Sequence, residues 1–154
     1  CRWPRTRSGR VEKEIAMSDI TFRTGNDLNL DEVIALYAAT TLGPRRPLED
    51  RAAVSDMLRH ANLIVTAWDG DLIVGIARSL TDFSYTAYLA DLAVRESHQR
   101  RGIGRELIEQ TRTRLGPKCR LVLLAAPLAV DYYPRIGFTQ HPSAWTLDGH
   151  ESLI

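Results

Sequence analysis

Residues 88–104 constrain this chain more than any other stretch. Tyr88-Leu89-Ala90-Asp91-Leu92-Ala93-Val94 reads as an apolar strand, and Arg95-Glu96-Ser97-His98 is a short polar link. Gln99-Arg100-Arg101-Gly102-Ile103-Gly104 is a basic turn with two glycines, and an amphipathic helix is predicted from Arg105 to about Leu115. A helix start leaves several backbone N–H groups unpaired and carries the positive end of the helix dipole, so it suits a phosphate. Gly102 and Gly104 have no Cβ, which lets a ligand come close to the backbone. Arg100, Arg101 and Arg105 add positive charge. The bland alternative is a plain strand–helix connection with a basic, solvated face.

Other phosphate motifs fit worse. The dinucleotide fingerprint requires a third glycine where this chain has Leu107. The P-loop spacing, with Lys and Ser or Thr after its second glycine, is absent. The pattern therefore favours a pyrophosphate held mainly by backbone amides.

The segment Gln99-x-x-Gly102-x-Gly104 resembles the acyl-CoA-binding motif of the Gcn5-related N-acetyltransferase (GNAT) family, and Asp91-Leu92-Ala93-Val94 resembles that family's fourth strand. The resemblance implies that Leu92, Ala93 and Val94 line the pantetheine arm. It implies that Gln99, Arg100, Arg101, Gly102, Ile103, Gly104 and Arg105 surround the pyrophosphate of acetyl-CoA, which acts as co-substrate.

A second stretch, Tyr132-Tyr133-Pro134-Arg135-Ile136-Gly137-Phe138, resembles the family's Phe-Tyr-x-x-x-Gly-Phe, with Tyr132 where Phe is usual. By that resemblance Tyr133 is the general acid for the departing thiolate. The chemistry needs such a group, because sulfur gains negative charge as the thioester breaks. A phenol is protonated at neutral pH. The alternative for Tyr133 is an amphipathic core residue with its hydroxyl at the surface.

A general base would take a proton from the ammonium form of the acceptor. Asp91 is the first candidate, as the one charged residue in an apolar strand, because burial can raise a carboxyl pKa. Its alternative is a structural carboxylate hydrogen-bonded to loop amides. Asp82, Glu96 and His98 are weaker candidates, and a water chain could replace any single base. Many family members carry an Asn after the fifth strand, near the thiol. This chain has Ala125-Ala126-Pro127 there.

The remaining sequence fits one α/β domain, expected over residues 17–154. The expected order is a strand (Ile20–Arg23), a helix from Leu30 to about Thr41 capped by Asp27 or Asn29, and a helix from Leu48 to His60. Strands at Leu63–Trp68 and Leu72–Leu80 follow, joined by an Asp69-Gly70-Asp71 hairpin turn. After the strand Thr86–Val94 and the phosphate helix comes an apolar strand Arg120–Ala125, expected to be central and covered on both faces. A short helix over Leu128–Arg135 and closing strands from Phe138 around Trp145 complete the order. This predicts a mixed, mostly antiparallel sheet with helices on both faces, the order of the acyl-CoA N-acyltransferase fold.

Of the 154 residues, 44% are hydrophobic and the net charge is +1. Residues 1–16 carry five basic and two acidic groups, so residues 17–154 carry a net −2. Bulk charge thus argues against a nucleic-acid partner. No apolar run reaches the roughly 20 residues that span a bilayer, so no membrane partner is expected. The Arg-rich stretch before Met17 is expected to be a disordered extension outside the fold, with an Arg-rich targeting peptide as the alternative. Two cysteines, Cys1 and Cys119, give no disulfide framework and no metal spacing. The expected location is cytoplasmic, with no metal.

The resulting expectation is transfer of acetyl from acetyl-CoA to a primary amine of a small molecule or peptide by direct attack. The alternative is a non-catalytic acyl-CoA-binding or sensor module of the same fold. A DNA-associated role rests only on the Arg-rich stretch. The acceptor is expected between Thr40–Arg46, Thr81–Tyr85 and the tail strands. Arg45 and Arg46 would either bind an acidic acceptor or face solvent. Phe83, Tyr85, Tyr88 and Trp145 would either form an aromatic pocket or pack as ordinary strand residues. Dimerisation is left open.

Overall fold

The computed structural model describes residues 16–153. The expected N-terminal extension therefore lies, apart from Ala16, outside the described residues. The fold is built on a five-stranded sheet of order β1-β2-β3-β4-β5. Its strands are β1 (Ile20–Thr24), β2 (Leu63–Asp69), β3 (Leu72–Thr81), β4 (Thr86–Val94) and β5 (Arg120–Val122). Neighbours are antiparallel except β5, which runs parallel to β4. Three helices belong with the sheet: α1 (Leu30–Ala38), α2 (Arg51–His60) and α3 (Ile103–Arg112).

Local chemistry explains the boundaries. The Asn29 side chain accepts from the amides of Asp31 and Glu32, so Asn29 caps α1. Asp50 accepts from the Ala53 amide and caps α2, which starts at Arg51 rather than at the expected Leu48. Residues before Arg51 instead form a 3-10 turn, Gly43–Arg45, and a tight link.

Side-chain alternation on the strands assigns two covered faces. Ile64, Trp68, Ile73 and Ile76 join Val33, Leu36, Tyr37 and Leu58 in one apolar cluster, so α1 and α2 cover that face. The residue beside Ile76, Gly75, points the other way. A methyl group added there would lie 3.0 Å from Leu107 Cδ1, so α3 covers the second face at close range. Ile103, Leu107, Ile108 and Thr111 are the buried residues of α3.

Contacts divide the chain into a unit ending at Val122 and a unit beginning at Leu123. In the second unit Pro127–Ala129 is a 3-10 turn and Tyr132–Arg135 is a one-turn helix, α4, in place of the continuous helix expected over Leu128–Arg135. Residues 138–153 contain no strand, and Trp145 is 91% exposed, so the expected closing strands do not form. Pro142 and the Asp148-Gly149 turn break any alternation there. The apolar run at Arg120 also misled: β5 has three residues, sits at the sheet edge and exposes Arg120 and Val122. An apolar run signals burial somewhere along it, not a central place in the sheet.

Candidate functional site

The site is built on β4. The strand pairs with β5 only over Thr86 to Tyr88, matched with Arg120 to Val122. Leu89 to Val94 continue past that pairing, and among the described residues no strand pairs with them on that side. This stretch of backbone edge leads through a 3-10 turn, Glu96–His98, into the glycine turn and the start of α3.

The glycine turn is held from inside. The Gln99 side-chain amide donates to the Val94 carbonyl at 3.1 Å. Arg95 Nε donates to the Ile73 carbonyl at 2.8 Å, and the Arg95 amide donates to the Val74 carbonyl at the same distance. Gly102 has φ 81 and Arg100 φ 61, both in the left-handed region. No atom lies within 4 Å of where a Cβ on Gly102 would be. Glycine is required there by backbone conformation rather than by crowding. Helix α3 starts at Ile103, two residues before the expected Arg105, with Gly102 as N-cap and no side chain capping it. The first amides of α3 thus lack intrahelical acceptors and lack a side-chain cap. Ile103 is buried, so only its backbone can serve a ligand, whereas the Arg100 and Arg105 side chains are exposed.

Near the middle of β4 the register changes from Arg78 opposite Asp91 to Ser79 opposite Leu89. Ala90 is the extra residue of a β-bulge, a device that re-aims backbone and side chains beside sites. Next to it Asp91 is 1% exposed. Tyr37 Oη donates to Asp91 Oδ2 at 2.7 Å, and Arg78 Nε donates to the same oxygen at 2.5 Å. Arg46 Nε donates to Oδ1 at 2.7 Å, and Arg46 Nη2 bridges Oδ1 and the Ala90 carbonyl.

This environment corrects the reading of Asp91 as a base with a raised pKa. Burial pushes the carboxyl up, but hydrogen bonds and charge from Arg78, with Tyr37 and Arg46, outweigh it and hold Asp91 below the usual carboxylate value. Burial first, and then Asp91, push the Tyr37 phenol far up. Burial disfavours the charged form of Arg78, but the bond and charge of Asp91 keep its pKa raised. A carboxylate held by two guanidiniums and a phenol is a structural anion. Its donors are side chains, not the loop amides of the sequence alternative.

Of the weaker base candidates, Asp82 and His98 have their side chains engaged elsewhere. Asp82 Oδ1 accepts from the amides of Ser84, Tyr85 and Thr86, and these bonds lower its pKa. His98, expected in a solvated link, is 5% exposed. Its ring nitrogens meet Ser97 Oγ at 2.8 Å and Asp69 Oδ2 at 3.2 Å. Glu96 is exposed, and its amide donates to the Ala39 carbonyl at 3.1 Å.

In the second unit, Tyr133 is half-buried on α4. Its carbonyl accepts from the amides of Ile136 and Phe138 at 3.1 and 3.0 Å. Its ring packs edge-on against Tyr132 and Phe138, with centroids 5.4 and 5.5 Å away. Burial, and then Tyr132, raise its pKa, so the hydroxyl keeps its proton at neutral pH.

The sequence profile of the acetyltransferase (GNAT) domain matches residues 44–151, most of the chain. The chain belongs to the GNAT acetyltransferase family. It is 30% identical over 136 residues to a chloroplastic GCN5-related N-acetyltransferase 1 of Arabidopsis thaliana, covering 86% of this chain and 64% of that protein. The chain spans less than two thirds of the length of this relative and of the two soybean relatives that follow it. Among solved structures, an acetyltransferase of Deinococcus radiodurans R1 superposes with TM-score 0.67 at 24% identity, covering 87% of this chain and 92% of that one. An aminoglycoside N-acetyltransferase solved with CoA superposes with TM-score 0.66 at 17% identity, covering 85% and 95%. At these identities the two structures speak for the fold.

Seen as a GNAT chain, the molecule brings together Leu92, Ala93, Val94, Gln99 and the glycine turn along one continuous path. Phe83, Tyr85 and Tyr88 are 40%, 75% and 41% exposed. Arg46, weighed earlier between acceptor binding and solvent, is instead tied to Asp91 and Ala90. Reading the sequence missed Tyr37, Arg78 and the Ala90 bulge. A signal for Arg78 was present: it is a charge inside one apolar strand of a hairpin whose partner strand carries the opposite charge. The bulge left no mark, because Ala90 is an ordinary strand residue.

Proposed function

We propose that the chain is an acyl-CoA-dependent N-acyltransferase that moves acetyl from acetyl-CoA to a primary amine of a small molecule or peptide by direct attack. The observation that carries this reading is the open edge of β4 from Leu89 to Val94, running into the uncapped start of α3 at Gly102. An amide-rich pantetheine chain suits a strand edge, and a pyrophosphate suits helix amides. The co-substrate supplies the activated thioester. The acceptor nitrogen forms a bond to the acyl carbon, the carbon–sulfur bond breaks, and the Tyr133 hydroxyl gives its proton to the sulfur. With Asp91 held as an anion by Arg46 and Arg78, the amine proton passes to water.

The sensor module is the rival, favoured by the engagement of Asp91 with Tyr37, Arg46 and Arg78 and by Ala125-Ala126-Pro127. Thiol release from acetyl-CoA with a panel of primary amines separates the two. Amine-dependent release supports the enzyme. Tight acetyl-CoA binding with no release from any amine supports the sensor. A cytoplasmic location is part of the same proposal, and fractionation of the expressing cells tests it.

A further inference from the structure

The link between α1 and α2, Ala39 to Arg46, is fastened to β4 at both ends. At its start the Ala39 carbonyl, which ends α1, accepts from the Glu96 amide at 3.1 Å, just past β4. At its end Arg46 grips Asp91 through Nε and Nη2 and donates to the Ala90 carbonyl at 3.0 Å. One anchor point lies just past the open stretch of β4, at Glu96, and the other lies within it, at Ala90 and Asp91. Between them the link is wound tightly. Thr40 Oγ1 donates to the Tyr37 carbonyl at 2.8 Å and accepts from the Leu42 amide at 3.2 Å. Gly43 is buried, and a Cβ there would meet the Tyr37 carbonyl oxygen at 2.6 Å. Such a link moves as one piece, and its place beside β4 depends on its anchors. The Ala39 anchor is a single neutral backbone bond. The Arg46 anchor is charged, multidentate and directed at the bulge.

We propose that Arg46 is a positioning residue that fixes the Ala39–Arg46 link beside the Ala90 bulge and thereby sets the affinity for the acceptor amine, not for acetyl-CoA. The inference rests on the acyltransferase reading. It separates the two substrates because the glycine turn proposed for the pyrophosphate is held by its own contacts, through Gln99 to Val94 and Arg95 to Ile73, and Arg46 meets the backbone of the β4 edge at the Ala90 carbonyl alone. Asp91 keeps Tyr37 and Arg78 when Arg46 is replaced, so the core keeps its buried anion compensated. Arg46→Gln is therefore expected to fold.

The test compares wild type, Arg46→Gln and Arg46→Lys as full chains. Acetyl-CoA affinity is read by calorimetry, and amine turnover is read by thiol release with phenethylamine, spermidine and a lysine peptide. Hydrogen exchange of residues 39–48 is followed with acetyl-CoA bound. For Arg46→Gln the expected result is acetyl-CoA affinity within about twofold of wild type, and an acceptor KM raised about tenfold or more with a smaller change in kcat. Faster exchange confined to the link is expected too. Arg46→Lys, which keeps the charge but not the fork, recovers part of the loss. Equal weakening for acetyl-CoA and acceptor, or unchanged KM with unchanged exchange, overturns the proposal. If no amine is turned over by wild type, the acyltransferase reading fails. Exchange then decides alone, and an Arg46→Gln link as protected as wild type overturns the anchor.

Discussion

Arg78 on β3 and Asp91 on β4 stand directly opposite each other in the sheet, and Arg78 Nε lies 2.5 Å from Asp91 Oδ2. From the same guanidinium, Nη1 donates to the Met57 carbonyl of α2 at 3.3 Å. One ion pair thus links two strands to a helix, and Tyr37 and Arg46 extend it to α1 and the link that follows.

This pair predicts acid sensitivity of defined sign. Asp91 titrates below its unfolded value of about 3.9. Its contribution is therefore complete above that value and is lost as pH falls through the lower, folded value. Asp91→Ala leaves two guanidiniums without their anion and is expected to cost about 3–5 kcal/mol at neutral pH. Asp91→Asn is expected to cost less and to flatten the acid limb of stability. Urea unfolding followed between pH 2 and 7 checks both, and an unchanged acid limb in Asp91→Asn counts against the network.

The glycine turn gives a second prediction with two different causes. Gly102 is left-handed, so Gly102→Ala is expected to cost roughly 1–2 kcal/mol of stability from backbone strain alone. Gly104 lies inside α3 and outside the left-handed region, so Gly104→Ala is expected to keep or raise the melting temperature. Gly102→Ala is also expected to weaken acetyl-CoA binding, by about fivefold for each amide hydrogen bond to the phosphates that the added methyl group prevents. The motif that Gln99 to Gly104 resembles takes Gly or Ala at its last position, so Gly104→Ala is expected to keep its affinity. Melting and calorimetry on the same samples check both, and full affinity in Gly102→Ala counts against phosphate binding at this turn.

Tyr133→Phe removes one hydroxyl and leaves the ring contacts with Tyr132 and Phe138 in place. Folding and acetyl-CoA affinity are expected to hold while turnover falls by roughly 10²–10⁴. Tyr132→Phe is the control and is expected to cost little. Steady-state kinetics of the two variants decide the assignment, and equal behaviour of both refutes it.

At the β3–β4 turn, Asp82→Ala removes the acceptor for three amides. Faster hydrogen exchange over residues 84–86 is expected, with little change in melting temperature because the turn is exposed. Unchanged exchange shows that Thr81 and Thr86 hold the turn without it.

Much of this was legible because local signals agreed. The apolar runs of β2 and β3 around Asp69-Gly70, the cap expected at Asp27 or Asn29 and the strand–glycine–helix order of residues 88–104 each located an element that forms. Element starts moved by a few residues where turn chemistry competed, as at Leu48 and Arg105. The role of Asp91 was not legible, because a lone carboxylate in an apolar strand says that it is compensated and not by what. Its partners Tyr37 and Arg46 lie 54 and 45 residues away in the chain. The tail past Val122 was misread because Leu121 to Leu124 carry the composition of a core strand without its neighbours.

The unpaired edge of β4 has a consequence for solution behaviour. Apart from the Ala90 and Val94 carbonyls, which Arg46 and Gln99 hold, a strand edge with no neighbouring strand is a template on which another polypeptide can add a strand. A ligand lying along it would act as a removable edge cover. Holding the protein at 100 times Kd of such a ligand would deepen its stability by about 2.7 kcal/mol. The same ligand would suppress edge-to-edge association, so the loaded protein should tolerate concentrations at which the empty one self-associates.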